Sequence, residues 1–107
     1  MLNLLVLYTE KLEENLKFYE SLGLEFKQEQ HGSGPVHYAY EKDGVVFELY
    51  PTSKNNPTSS CRVGIGTHYT PKIGTIVDTM KATYQSENES LYILEDPDRR
   101  KVMLKVL

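Results

Sequence analysis

Histidine and carboxylate side chains give this sequence its clearest potential for chemistry. His37 and Glu48 lie on two segments predicted to be adjacent strands, and His68 directly follows a third strand segment. Imidazole and carboxylate groups can bind a divalent metal or transfer protons. The spacing of the three residues matches no helical or zinc-finger motif. Hydrogen-bonded or exposed histidines are therefore favoured over a metal site formed by His37, Glu48 and His68.

The single cysteine is a weaker candidate for a nucleophile. A reactive thiol needs an electropositive setting, and Cys61 has one basic neighbour in the sequence, Arg62. We therefore expect Cys61 to be a small buried side chain. With one cysteine the chain forms no internal disulfide, which is typical of proteins in the reducing cytoplasm.

The charge balance argues against two classes of partner. Among 107 residues, 12 Lys and Arg stand against 15 Asp and Glu, so the net charge is −3. Nucleic-acid binding uses a basic surface, and the one basic cluster, residues 99–101, is expected to be a solvated turn. No apolar run approaches the roughly 20 residues of a membrane span, and residues 1–3 lack the basic start of a signal peptide. We expect a cytoplasmic protein that binds neither nucleic acid nor a membrane.

The elements that position these side chains begin with a strand, a helix and three further strands. The strands are predicted at residues 2–8, 24–29, 36–41 and 45–50. A helix is predicted over residues 10–22, with Thr9 as its N-cap and Gly23 as its left-handed stop. Asp43-Gly44 is a strong signal for a hairpin between the last two strands.

A similar order of elements follows a polar linker at residues 52–60. A strand is predicted at 62–67, and Thr70-Pro71 then starts a helix whose apolar face is Ile73, Val77, Met80 and Tyr84. Residues 85–90 form at most a weak strand, and a hairpin of residues 91–94 and 102–106 closes the chain. Four strands between the two helices argue against a ferredoxin-like fold, which has two.

Several motifs resemble those of the vicinal oxygen chelate superfamily, which includes glyoxalase I, bleomycin-resistance proteins and extradiol dioxygenases. The resemblance covers nearly the whole chain. It is carried by LEENLKFY at residues 12–19, LGLEF at 22–26, VVFELYP at 45–51 and EDPD at 95–98. HGSGPVHYA at 31–39 resembles a glyoxalase-like subgroup.

This resemblance implies an α+β fold in which paired βαβββ modules form a cupped mixed sheet with helices outside. The chain would be one domain over residues 1–107, with modules at 1–51 and 61–107, and its second module would be shortened. In such proteins the cup holds a small ligand. Many relatives pair through their sheets, which implies a homodimer here.

The resemblance also locates the positions at which metal-dependent relatives bind their ion. Carried over onto this sequence, these positions are Leu4, Glu48, Arg62 and Met103. Glu48 alone is a suitable ligand, because leucine has no donor atom, arginine is a cation and a methionine thioether is too soft for these ions. We therefore expect no metal cofactor, and a divalent metal remains the alternative.

Two ligand-binding arrangements follow for the cup. Glu48 and Arg62 would face each other and form an ion pair in place of the metal, with Glu48 as the candidate catalytic base. The sequence has 8 Tyr against 3 Phe and no Trp, and tyrosine suits a half-wet cavity. Strand alternation places Tyr8 and Tyr50 on the cup face, while His37 and Met103 complete the set of ligand-binding candidates.

The function predicted from the sequence is metal-independent binding of a small organic molecule by a glyoxalase-like protein. One alternative is a glyoxalase I-type lyase, or another enzyme of this superfamily, with a substituted metal site. The other alternative is an accessory protein whose cup is filled by its own side chains.

Overall fold

The elements of the chain follow one another as two βαβββ modules. The computed structural model describes residues 1–80, 84–85 and 91–107. The first module consists of β1 (Leu4–Thr9), α1 (Leu12–Ser21), β2 (Lys27–Glu29), β3 (His37–Lys42) and β4 (Val45–Pro51). The second consists of β5 (Val63–Thr67), α2 (Pro71–Thr79), β6 (Tyr84–Gln85), β7 (Leu91–Glu95) and β8 (Lys101–Val106). The predicted α+β class and the repeated order of elements are confirmed.

Each module builds its own mixed sheet of four strands. The strand orders are β1-β4-β3-β2 and β5-β8-β7-β6. The first and last strands of each module pair in parallel, and the other pairs are antiparallel. A parallel pair requires a crossover connection, which the helix and the two middle strands provide. The weak strand predicted at residues 85–90 lies mostly outside the described residues, and β6 contains two residues.

One hydrophobic core is shared by both sheets. Alternate strand residues enter it, so that Leu7 and Leu49 of the first sheet and Val102 and Leu104 of the second are each at most 1% exposed. From α1, Tyr19 packs edge-on against Phe47, with ring centroids 5.1 Å apart. Because successive strand side chains point to opposite faces, burying one face of each sheet leaves the other face outside this core.

Helix α1 begins two residues later than the sequence predicts, and Thr9 is not its N-cap. Thr9 ends β1, where its hydroxyl oxygen accepts hydrogen bonds from the Lys11 backbone N–H at 2.9 Å and from Asn15 Nδ2 at 3.0 Å. Lys11 takes the N-cap position without a side-chain cap. The helix stops as predicted, because Gly23 adopts a φ of 102° that other residues avoid.

Helix α2 begins as predicted and ends earlier. The Thr70 hydroxyl oxygen accepts a hydrogen bond from the Ile73 backbone N–H at 3.1 Å, and Pro71 is the first helical residue. Ile73 is buried in the core. The predicted apolar face is wrong at its far end, because Met80 follows the last helical residue and is 39% exposed, and Tyr84 belongs to β6.

The turn between β3 and β4 forms at Asp43 and Gly44, which adopt φ values of 53° and 80°. Two successive positive φ values are characteristic of the tight hairpin turns whose twist matches that of the strands. The predicted hairpin is therefore confirmed. The preceding strand β2 is shorter than predicted, and Leu24 and Phe26 instead pack against the edge of the core.

Neither helix within the described residues has the length and apolar character needed to cross a lipid bilayer.

A buried arginine joins the second module to the first. Arg100 Nη1 donates to Asp96 Oδ2 at 2.7 Å and to Asn15 Oδ1 at 3.3 Å. Its Nη2 donates to the Tyr8 carbonyl at 2.8 Å, and its Nε to the Ser59 carbonyl at 2.9 Å. One guanidinium thus binds the turn before β8, helix α1, the edge strand β1 and the linker.

The carboxylates around this arginine are shared with the first module. Asp96 Oδ2 also accepts a hydrogen bond from the Tyr19 phenol at 2.7 Å, and Asp98 Oδ2 accepts from Thr9 Oγ1. Burial raises the pKa of the Tyr19 phenol well above its usual value, and the hydrogen bond to Asp96 raises it further. Burial alone would lower the pKa of Arg100, but the hydrogen bond and charge of Asp96 outweigh this and raise it.

The expectation of a solvated basic turn at residues 99–101 is wrong for its central residue. Arg99 is exposed and Lys101 pairs with Glu95 on the surface, whereas Arg100 is 4% exposed. Arg99 adopts a φ of 65°, a left-handed conformation that makes the turn tight. This turn points the Arg100 side chain inward, where its charge is balanced by two carboxylates.

Candidate functional site

The unburied face of the first sheet carries a row of four side chains, one from each strand. Tyr8 of β1 is in register with Tyr50 of β4, and Glu29 of β2 is in register with His37 of β3. The pairing of Tyr38 with Leu49 places His37 beside Tyr50. We call Tyr8, Tyr50, His37 and Glu29 the cup row. The predicted placement of Tyr8 and Tyr50 on one face is what the structure shows.

The three aromatic rings of the cup row are in contact with one another in sequence, and two of them, those of Tyr8 and Tyr50, reach the surface. The rings of His37 and Tyr50 are stacked, with centroids 4.0 Å apart and an interplanar angle of 10°. The ring of Tyr8 lies 5.9 Å from that of Tyr50 at an angle of 49°. Both tyrosines are partly exposed. Burial, followed by the nearby charge of Glu48, raises the pKa of Tyr50, and its hydroxyl can donate a hydrogen bond.

His37 lies at the centre of the row and is 1% exposed. Its Nδ1 lies 3.2 Å from the Pro35 carbonyl, which can accept the ring proton. Its Nε2 lies 3.3 Å from Glu29 Oε1 and 3.6 Å from Glu48 Oε2, and has no hydrogen-bond partner among the described residues. With the proton on Nδ1, Nε2 presents a lone pair to two carboxylates. A lone pair that faces two carboxylates is stabilised when a proton or a cation lies between them.

A second histidine approaches the same carboxylate from the turn between β2 and β3. His31 Nε2 lies 3.8 Å from Glu29 Oε1, and the rings of His31 and His37 are 5.0 Å apart. Gly32 adopts a φ of 57°, which lets the chain reverse directly after His31. Ligand atoms of Glu29, His31 and His37 all lie within 4.8 Å of one another.

The rest of this face combines apolar side chains with one carboxylate. Val6, Glu48 and Ala39 form the next row across the sheet. The Glu48 side chain is 16% exposed, so it is accessible from the cup while its charge stays partly desolvated. Leu4, at the far end of β1, is 49% exposed. The face therefore offers aromatic rings, aliphatic side chains and a carboxylate to a ligand.

The predicted Glu48–Arg62 ion pair is wrong for a single chain. Arg62 is exposed and lines an open pocket of about 410 Å³ with Cys61 and Arg99. No ion pair joins Arg62 to Glu48 within the described part of the chain. The linker lies at the free edge of β1, where the Ser59 backbone N–H donates to the Tyr8 carbonyl at 3.0 Å, so β5 does not pair with β1.

Three further candidates lie in the second module, away from the cup row. Met103 of β8 is partly exposed and in register with Gly64 of β5. His68 follows β5, is exposed, and is not part of the histidine–carboxylate cluster. Cys61 is exposed, so its predicted burial is wrong. Cys61 precedes the first core residue of β5, Val63, and therefore stays outside the sheet.

The residues at the superfamily's metal positions do not fit a metal. Leu4 offers no donor atom, the Arg62 guanidinium repels cations, and Met103 offers a thioether. Glu48 is the one suitable ligand, and a stable site for a borderline or hard ion needs three or more. These four side chains together therefore cannot hold such an ion.

The sequence interpretation missed Glu29 and did not group His31 with His37. A signal for both exists in the sequence. If residues 31–34 form a turn, strands on either side pair in antiparallel register, and Glu29 then faces His37 across the hairpin. The predicted helices and hairpins are enough to predict the fold. The contact between Glu29 and His37 depends in addition on the register of β2 against β3.

Comparisons with known proteins identify the fold. No protein-family model matches the chain, and no curated protein sequence matches it. Among solved structures, a trypanothione-dependent glyoxalase I from Leishmania major is similar with a TM-score of 0.71 and 17% identity, over 99% of this chain and 86% of that one.

Two further structures extend this similarity. An antibiotic-binding protein from a Streptomyces species has a TM-score of 0.70 and 15% identity, over 99% of this chain and 94% of its own. An integron cassette protein from V. cholerae has a TM-score of 0.64 and 18% identity, over 99% and 94% of the two chains. The chain therefore has the fold predicted from its motifs, that of the vicinal oxygen chelate superfamily.

Proposed function

We propose that this chain, with its vicinal-oxygen-chelate fold, binds a small, flat, basic organic molecule on the cup face of its first module. The proposal needs no metal at the superfamily's four metal positions. The observation that carries it is the stacked pair of His37 and Tyr50 beside the Glu48 carboxylate.

The aromatic row accounts for the flat shape of the ligand. Tyr8 and Tyr50 keep part of their rings exposed, and rings at 5.9 Å leave a continuous apolar surface on the cup side. Aromatic surfaces bind planar molecules by offset stacking, which contributes about 0.5–1.5 kcal/mol per pair beyond the buried area. The Tyr50 hydroxyl can donate a hydrogen bond to such a ligand.

The carboxylates account for the basic character of the ligand. Glu29 and Glu48 both lie within 4 Å of His37 Nε2, and no described lysine or arginine forms an ion pair with either of them. A protonated amine or amidine would offer donors to these acceptors. Charge-assisted hydrogen bonds of this kind are stronger than neutral ones.

Binding without turnover agrees with the chemistry of the cup. The Streptomyces protein of this fold is named an antibiotic-binding protein, which supports a binding role for this chain. The exposed apolar side chain of Leu4 also supports a homodimer in which a second copy covers part of the cup. Light scattering at several protein concentrations would measure the oligomeric state.

The test uses two fluorescent dyes with similar planar rings. Proflavine is cationic and acridone is neutral, and both report binding through fluorescence anisotropy. Tyr50→Leu removes the stacking ring and should weaken proflavine binding about tenfold, the equivalent of ~1.4 kcal/mol. Tyr69→Leu is the matched control, because Tyr69 is 65% exposed and packs beside Gly74 of α2.

A second variant separates charge from shape. Glu48→Gln should weaken proflavine binding about fivefold and leave acridone binding unchanged, because it removes a charge without changing size. Equal affinities of the Tyr50→Leu and Tyr69→Leu variants would contradict the proposal. So would the failure of both dyes to bind at millimolar concentration.

The lyase alternative is favoured by one contact, that of His37 Nε2 with Glu48 Oε2 at 3.6 Å. Such a pair could move a proton to or from a bound substrate. Turnover of methylglyoxal with glutathione, in the presence of added nickel or zinc, would support this alternative and contradict a purely binding role. An accessory role with a filled cup predicts that neither dye binds.

A further inference from the structure

We propose that Glu29, His31 and His37 bind a divalent cation of the zinc type at the turn between β2 and β3. These residues are distinct from the four positions at which the superfamily resemblance places its metal. The ion would share Glu29 with the ligand face proposed above but would leave Tyr50 and Glu48 free, and it is titrated without any dye, so the two proposals are tested separately.

One distance within the cluster equals that of a zinc site, and the other two need only a small closing movement. Zinc binds histidine nitrogen and carboxylate oxygen at about 2.0–2.2 Å, so tetrahedral ligand atoms lie roughly 3.3–3.5 Å apart. Glu29 Oε1 lies 3.3 Å from His37 Nε2 and 3.8 Å from His31 Nε2. Small rotations of the exposed His31 side chain, which is 73% accessible, would bring the third atom to the same spacing.

The buried histidine supplies an independent observation. His37 Nε2 is the buried side-chain nitrogen that lacks a hydrogen-bond partner within the described residues, and its side chain is 1% exposed. Metal-binding histidines commonly donate their other ring proton to a backbone carbonyl, which leaves the ligating nitrogen free. The Pro35 carbonyl, 3.2 Å from His37 Nδ1, is placed for this role.

The backbone presets the three ligands before an ion binds. Glu29 and His37 are held opposite each other by the β2–β3 register, and the φ of 57° at Gly32 returns the chain directly after His31. Glu48, with Oε2 3.6 Å from His37 Nε2, adds a second negative charge close to the cluster. A cation placed here would balance charges that the described residues leave unneutralised.

The donor set selects the type of ion. Two imidazoles and one carboxylate suit zinc and similar borderline ions, whereas calcium and magnesium prefer oxygen ligands alone. Three protein ligands leave a fourth coordination position for water or for another molecule. The ion would bind in the plane of the His37 ring, so the ring face that stacks on Tyr50 would stay unchanged.

The experiment is calorimetric titration of tag-free, chelator-treated full chain with Zn²⁺. The wild-type chain should bind one ion. His31→Gln should weaken binding at least tenfold, since it removes a ligand from an exposed position without disturbing the core. His68→Gln is the matched control, because His68 is an exposed histidine outside the cluster and should bind like the wild type.

A second measurement separates loss of the site from loss of the fold. Cobalt substitution should give the intense visible absorption of a four-coordinate ion in the wild type and in His68→Gln, and lose it in Glu29→Gln and His31→Gln. Circular dichroism should show that both cluster variants stay folded.

Two results would overturn the inference. One is equal zinc affinity of His31→Gln and His68→Gln. The other is the absence of stoichiometric zinc binding by the folded wild-type chain. Neither result bears on dye binding at Tyr50, which is measured separately.

Discussion

Replacement of the buried Arg100 by methionine should strongly destabilise the chain. The guanidinium makes four hydrogen bonds, to Asp96, Asn15, Ser59 and Tyr8. Methionine replaces the aliphatic part of the arginine side chain but has no donors. It would leave Asp96, which is 4% exposed, as a buried carboxylate without a balancing cation.

The expected cost follows from this geometry. Removing one partner of a buried ion pair costs about 3–5 kcal/mol, since the remaining charge stays desolvated. Domains of this size have total stabilities of about 5–15 kcal/mol. A more conservative change, Arg100→Lys, keeps the charge near Asp96 but cannot reach the Ser59 and Tyr8 carbonyls as well. Two lost hydrogen bonds at about 1 kcal/mol each predict a cost of ~2 kcal/mol.

Urea unfolding followed by far-ultraviolet circular dichroism measures these differences. Arg99→Met is the matched control, because Arg99 is the adjacent arginine and is exposed. An exposed substitution of this kind should change the free energy of unfolding by less than about 0.5 kcal/mol. If Arg100→Met and Arg99→Met agree within 1 kcal/mol, the assignment of Arg100 as the junction between the modules is refuted.

Three further predictions concern stability. The pKa of the Tyr19 phenol is raised in the folded chain, so its contribution to the free energy of unfolding is complete below the unfolded pKa of about 10 and is lost as the pH rises above it. Tyr19→Phe should therefore flatten the fall in stability between pH 9 and 11, as measured by urea titrations. An unchanged slope would contradict the burial argument. Gly44→Ala should lower the free energy of unfolding by about 1–2 kcal/mol, because Gly44 has a φ of 80°. Gly64→Ala is the control in the same measurement and should be neutral or stabilising, because no atom lies within 4 Å of an added Cβ. Thr70→Ala should cost about 1 kcal/mol because the Ile73 backbone N–H loses its cap, and a loss below 0.3 kcal/mol would show that solvent replaces it.

Local signals predicted the parts of the fold that depend on local chemistry. Asp43-Gly44 and Thr70-Pro71 specify their turn and helix start through backbone preferences and a hydrogen bond three residues away. Alternation placed Tyr8 and Tyr50 on one face, because the period of a strand holds wherever the strand forms. These interpretations needed no knowledge of distant partners.

Arg100 is a residue whose burial cannot be predicted from its neighbours in the sequence. It stands between Arg99 and Lys101, both outside the core, and its neighbours in sequence predict a solvated residue. Its partners Asn15 and Tyr8 are 85 and 92 residues away. Only the docking of the second module against the first shows that the guanidinium is buried.

The cluster at Glu29 shows the same limit at shorter range. Glu29 and His37 face each other because the β2–β3 hairpin has one particular register. A shift by one residue would move Glu29 to the opposite face of the sheet. The Glu48–Arg62 hypothesis is wrong for a related reason. The resemblance implies that Arg62 faces Glu48, but it does not predict that the linker is hydrogen-bonded through Ser59 to the edge of β1.

The most direct test of the proposed cup is an amide NMR titration of the full chain with proflavine. Binding at the cup face should shift resonances of His37, Tyr50 and Tyr8 in the strands of the first sheet, and Tyr50→Leu should raise the dye concentration at half-maximal shift about tenfold. Shifts confined to the open pocket at Cys61 and Arg62, or an unchanged midpoint in Tyr50→Leu, would contradict the account.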